Sequence, residues 1–73
     1  MKYEFDKRVY RNAKRNKYIR FDATVYTDLG WDKSKFSLIT NGKYRHLNPV
    51  DVRELSEYLG VEEDDLFDVD WEV

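Results

Sequence analysis

Apolar residues recur along this chain in two periods, and the changes of period mark out its elements. Met1, Tyr3 and Phe5 alternate with Lys2 and Glu4, a short strand signal. From Asp6, a residue suited to N-capping, Val9 and Ala13 continue the apolar side at helical spacing. Lys7, Arg8, Arg11, Lys14, Arg15 and Lys17 fall on the opposite, exposed side. Asn12 and Asn16 lower the helical propensity there. Residues 18–29 carry both periods. Ile19, Phe21, Ala23 and Val25 alternate with polar neighbours as in a strand, and the β-branched Thr24, Val25 and Thr27 suit one. From Asp22 the same residues place Val25, Tyr26 and Leu29 on one helical face, with Asp22 as N-cap and a turn at Gly30. The helix is the preferred reading.

The second half is more regular. Phe36 and Ile39 form an apolar face on a short helix from about Lys33, stopped by Asn41-Gly42, with Lys33, Ser34, Lys35 and Ser37 looking outward. After a polar connection, Asn48-Pro49-Val50-Asp51 is a helix start with Asn as cap and Pro in the first turn. Val52, Leu55 and Leu59 supply its buried stripe and Gly60 its left-handed stop. Glu62 to Asp65 opens a last short helix, its acids near the positive end of the dipole and Leu66 and Phe67 turned inward. In the tail, Phe67, Val69, Trp71 and Val73 alternate with Asp68, Asp70 and Glu72. Such a strand needs a partner edge, either the N-terminal strand or the same tail in a second copy. The pattern predicts one mainly α domain over residues 1–73, with about five short helices and short terminal strands. An α+β arrangement is the alternative: a hairpin of residues 2–10 and 18–26, with the tail as third strand, packed on three helices.

A chain of 73 residues lies near the lower limit for folding without a staple, and it has no cysteine for a disulfide or a thiolate metal site. Its aromatic share of 16% compensates, since each buried ring removes a large apolar area from water. No apolar run approaches a membrane span or the core of a signal peptide, so a soluble, cytoplasmic domain is expected. Net charge is −2, yet residues 1–20 hold eight Lys/Arg against two acids and residues 51–73 hold one against ten. One end suits polyanions and the other repels them. His46, the only histidine, has no cysteine or hydroxyl–acid partner set, so neither a zinc site nor a nucleophile triad is expected, and no cofactor or small-molecule ligand is indicated. Glu62 to Asp65 reads as a solvated helix start rather than a cation loop.

Leu29-Gly30-Trp31, Phe36-Ser37, Ile39, Asn41-Gly42-Lys43, Asn48-Pro49, Leu59-Gly60-Val61 and Leu66-Phe67, in this spacing, resemble the Cro/repressor-type, lambda repressor-like helix-turn-helix family. The resemblance covers about half the chain and implies that residues 22–29 are the first helix of the motif and residues 33–41 its recognition helix. It implies base-edge contacts from Lys33, Ser34 and Leu38, with Lys35 and Ser37 near the sugar-phosphate backbone. Asn41, Lys43, Tyr44 and Arg45 would lie beside phosphate. Physically, Lys33 can donate to guanine O6 or N7, and Leu38 can meet a thymine methyl. Two positions depart from the family pattern: Tyr26 stands where a small residue is usual, and Asp22 where glutamine often faces phosphate. The implied function is sequence-specific binding of double-stranded DNA by a small bacterial or phage transcriptional regulator, as a possible homodimer through Phe67, Val69, Trp71 and Val73. The alternative is a protein-interaction module, antitoxin-like or an adaptor, using the acidic C-terminal third. No enzyme is expected, for want of convergent reactive groups.

Overall fold

Five helices and a two-stranded antiparallel sheet make up the computed structural model, which describes residues 2–70. Strand β1 (Tyr3–Phe5) leads into α1 (Lys7–Asn16), α2 (Asp22–Leu29), α3 (Lys33–Thr40), α4 (Pro49–Leu59), α5 (Glu63–Leu66) and strand β2 (Phe67–Val69). The domain is small, mostly helical, and closed on itself by its two ends. Tyr3 pairs with Val69, Glu4 with Asp68 and Phe5 with Phe67. Residues 7–16 and 22–29 are helical, which removes the N-terminal hairpin as an alternative.

Local chemistry accounts for most of the boundaries. The Asp6 carboxylate accepts from the N–H groups of Arg8 and Val9, at 2.9 and 3.1 Å, and so caps α1. Asp32 caps α3 through the Lys35 N–H at 2.6 Å, and Asn48 caps α4 through the Asp51 N–H at 2.9 Å. Gly30 and Gly60 end α2 and α4 in the left-handed region, at φ of 75° and 71°, where a Cβ is costly. Asp22 does not cap α2. Phe21 holds the capping position without a side-chain bond, because the Asp22 carboxylate is drawn instead to Tyr10 and Lys14 of α1.

The core runs continuously from the sheet through all the helices. Ile39, Leu55, Leu66 and Val25 are fully buried, and Trp31, Phe36, Leu47, Val52 and Leu59 surround them. Cutting Leu55 back to alanine removes contacts worth about 2–5 kcal/mol. Tyr10, which the apolar spacing passes over, is as buried as Phe36, and the two rings meet at 5.9 Å. Phe67 is core as well, its ring 5.1 Å from Phe5 and 6.0 Å from Tyr3. The expectation of an interface with a second copy named Phe67 and Val69; both pack within the chain. Phe67 is spent inside the chain, and Val69 is half-buried opposite Tyr3. Trp71 and Val73, the other half of that expectation, lie outside the described residues.

Candidate nucleic-acid interface

Helix α3 turns one side to the core and one to solvent. Phe36 and Ile39 are buried, while Ser34, Ser37, Leu38 and Asn41, spaced three and four apart, form an exposed stripe. Lys33 stands exposed at the first turn, and Leu38 is 43% exposed, high for a leucine in so small a domain. Lys43 and Arg45 are exposed just beyond, with Tyr44 half-buried between them. Of the nine residues implied by the resemblance, seven are exposed, and Lys35 and Tyr44 are half-buried.

Lys35 is engaged within the fold. Its ammonium donates to Asp51 Oδ1 at 3.1 Å and lies 4.9 Å from the centre of the Trp31 ring and 6.0 Å from that of Tyr44. Asp51 has a side chain only 9% exposed and takes a further hydrogen bond from the Asn48 amide at 3.2 Å. The expected outward Lys35 therefore turns inward. A buried carboxylate demands a counter-charge, and Lys35 is the cation within reach. It ties α3 to the start of α4 and is not free for phosphate.

Asn41 ends α3 as a half-helical cap, so the helix stops one residue before the expected limit. Its side-chain amide donates back to Ser37 O at 2.8 Å, and its oxygen accepts from Lys7 Nζ at 3.1 Å. Lys7 of α1 is thereby brought to the end of α3, a placement invisible to local periodicity. The C-terminal end of α3 is pinned more firmly by Tyr3. Its hydroxyl donates to Ile39 O at 2.8 Å and accepts from the Tyr44 N–H at 3.3 Å. Burial pushes this hydroxyl above its ordinary pKa, against the opposing effect of the Tyr44 N–H. Gly42, at φ 72°, allows the close approach: a Cβ there would stand 3.1 Å from Tyr3 O. Alternation in the first strand turns Tyr3 inward, but nothing local names α3 as its partner.

The two departures from the family pattern have local explanations. Tyr26 sets its ring 5.4 Å from Phe36 and is half-buried, so α2 and α3 meet through an aromatic pair. Asp22 accepts from Tyr10 Oη at 2.6 Å and Lys14 Nζ at 2.7 Å. Partial burial pushes the carboxyl up, but hydrogen bonds from Lys14 and Tyr10 outweigh it and hold Asp22 below its ordinary value. Burial, then the Asp22 carboxylate, push the Tyr10 hydroxyl strongly up. The Asp22 charge is thus neutralised within the fold. Across the domain, the Tyr58 hydroxyl donates to Asp28 Oδ2 at 2.6 Å, clipping α4 to α2. That bond, with burial second, lifts the Tyr58 pKa to about 12.

The basic side of α1 stays largely unpaired. Among the described residues, Lys14 is its one cation in an ion pair, and Lys7, Arg8, Arg11 and Arg15 pair with no acid among them. His46 is exposed, its ring 6.0 Å from Tyr44. Among the described residues no group of three or more His, Asp or Glu side chains could hold a metal, and no helix is long and apolar enough to cross a membrane. No family model, curated protein or solved structure matches this chain.

Proposed function

We propose that this domain binds double-stranded DNA in the manner of a Cro/repressor-type regulator, with α3 lying in the major groove. The observation that carries the reading is the exposed stripe Ser34, Ser37, Leu38 and Asn41, headed by Lys33, on a short helix locked at both ends. A rigid helix presenting a cation, hydroxyls and an aliphatic group suits base edges, which demand donors, acceptors and methyl contacts at fixed places. Lys7, Lys43 and Arg45 flank it and would meet phosphate, setting register and supplying most of the affinity. Two copies of α3 about 34 Å apart, one DNA turn, would read a near-palindromic site. Titration of labelled duplexes at several salt concentrations tests this. Binding that weakens steeply with salt is expected, and absence of binding at low salt would sink the proposal.

A second reading, as a protein-interaction module, is favoured by one feature. Glu4, Asp6, Asp64, Asp65 and Asp68 line an open cleft of about 530 Å³, relieved only by Lys7. Such a surface suits a basic segment of another protein. A stoichiometric basic partner, bound through these acids by a domain with no duplex affinity, would replace the DNA reading.

A further inference from the structure

The connection between α1 and α2 is built unlike an ordinary surface loop. Tyr18 sits in the left-handed region at φ 58°, the only described non-glycine residue with positive φ. That conformation is costly for an ordinary side chain and is normally given to glycine or asparagine. The turn is nevertheless held firmly. The Tyr18 N–H donates to Arg15 O at 3.1 Å and the Ile19 N–H to Lys14 O at 2.9 Å, with Ile19 half-buried as the anchor. The strained backbone does not serve to bury the ring. Tyr18 is 93% exposed and Phe21, three residues on, is 67% exposed, the two most exposed large apolar side chains among the described residues.

Cations surround the Tyr18 ring, and Phe21 follows Arg20 directly in the chain. Arg11, Lys14, Arg15 and Arg20 line an open cleft of about 450 Å³ together with Tyr18 and Ile19. Lys14 is committed to Asp22, whereas Arg11, Arg15 and Arg20 form no ion pair with the described residues. Asp22, the nearest acid in sequence, is half exposed, but its Oδ1 is engaged by Lys14 and Tyr10. Two outward rings beside three free guanidinium groups match the chemistry of unpaired nucleotides: flat bases that stack on aromatic faces and a phosphate at every step. An acidic protein segment would satisfy the cations but would leave both rings uncovered.

We propose that residues 11–21 form a seat for single-stranded nucleic acid, with Tyr18 and Phe21 stacking on bases and Arg11, Arg15 and Arg20 holding the backbone. The seat centres on the α1–α2 connection, touching α3 only through the cleft that Arg11 shares with Phe36 and Thr40, and does not depend on the duplex reading. The test uses the full chain with labelled oligo-dT and oligo-U, followed by anisotropy at several salt concentrations, the two probes separating DNA from RNA. Tyr18→Ser and Phe21→Ser are each expected to weaken binding at least about fivefold, while Tyr18→Trp retains it. Arg15→Ala and Arg20→Ala should each lower the slope of log affinity against log salt by about 0.7. Tyr18→Gly supplies a readout that a structural role would not give: melting temperature rises as the strain is relieved, while oligonucleotide affinity falls. Failure of both probes to bind at low salt overturns the proposal, as does equal affinity of the Tyr18→Ser and wild-type proteins, or binding of polyglutamate in place of either probe. Lys33→Ala keeps the single-strand affinity if the α1–α2 connection is the contact, and loses it if α3 is the true contact.

Discussion

Replacing Lys35 by methionine separates what α3 needs for folding from what it offers to a ligand. The substitution keeps most of the aliphatic stem and deletes the ammonium that meets Asp51 at 3.1 Å and stands over Trp31 at 4.9 Å. A charge-assisted hydrogen bond contributes about 1.5–3 kcal/mol, and removing one partner of a fully buried pair costs about 3–5 kcal/mol. The side chains here are 27% and 9% exposed, and Asp51 keeps its bond from the Asn48 amide and its place at the start of α4. A cost of about 2 kcal/mol follows for the pair, with about 0.5 kcal/mol more for the lost cation–π contact. For a domain of this size each kcal/mol moves the midpoint by about 4–8 °C, so melting falls by about 10–20 °C. Circular dichroism melts of Lys35→Met, Asp51→Asn and the double variant give the coupling, expected at about 1–2 kcal/mol. Lys33→Ala, exposed and unpaired, should change stability by no more than about 0.5 kcal/mol. A Lys35→Met midpoint within about 4 °C of wild type, or additive single effects, would refute the inward role of Lys35.

Further outcomes follow from single contacts. Ser56 is 1% exposed with its Oγ unpartnered among the described residues, so Ser56→Ala should raise unfolding free energy by about 1 kcal/mol, measured by urea titration. Tyr3→Phe deletes the bond to Ile39 O and leaves the Tyr44 N–H without its acceptor. A loss of about 1–2 kcal/mol is expected, with faster hydrogen exchange at residues 41–44. Asp22 is held below its ordinary 3.8, so it stabilises the fold above that pH, and the contribution disappears as pH falls through the lower folded value. Its exposed carboxylate is screened, so the effect stays under about 1 kcal/mol. Asp22→Asn should lose it at neutral pH and show a flatter acid limb. Glu4 and Asp68 oppose each other across the sheet, so Glu4→Lys should gain about 0.5 kcal/mol by turning a like-charge pair into an attractive one.

How far the chain announces this structure depends on the range of the forces involved. Helix α4 is legible because its cap, first-turn proline, buried stripe and left-handed stop all lie within thirteen residues of Asn48. The pairing of residues 3–5 with 67–69 was one of two partners the alternation allowed; ring contacts among Tyr3, Phe5 and Phe67 decide it. Lys35 looked outward because helical spacing reports only the neighbours on its own helix. Asp51, sixteen residues on, reverses its direction. Asp22 satisfied the local rule for a cap, but a tyrosine and a lysine on another helix compete for its carboxylate and win. Tyr3 and Lys7 reach the end of α3 across more than thirty residues, and no periodicity carries that information. The exposed stripe of α3 was legible; the devices that hold it were not.

The central claim is that α3 reads DNA, and binding-site selection from a random duplex pool tests it most directly. The account predicts an enriched duplex motif whose binding weakens with salt. It predicts that Lys33→Ala costs about 1–3 kcal/mol and relaxes preference at one base pair, with the fold intact. A pool that yields no motif, or a folded Lys33→Ala protein that binds the selected duplex like wild type, would contradict it.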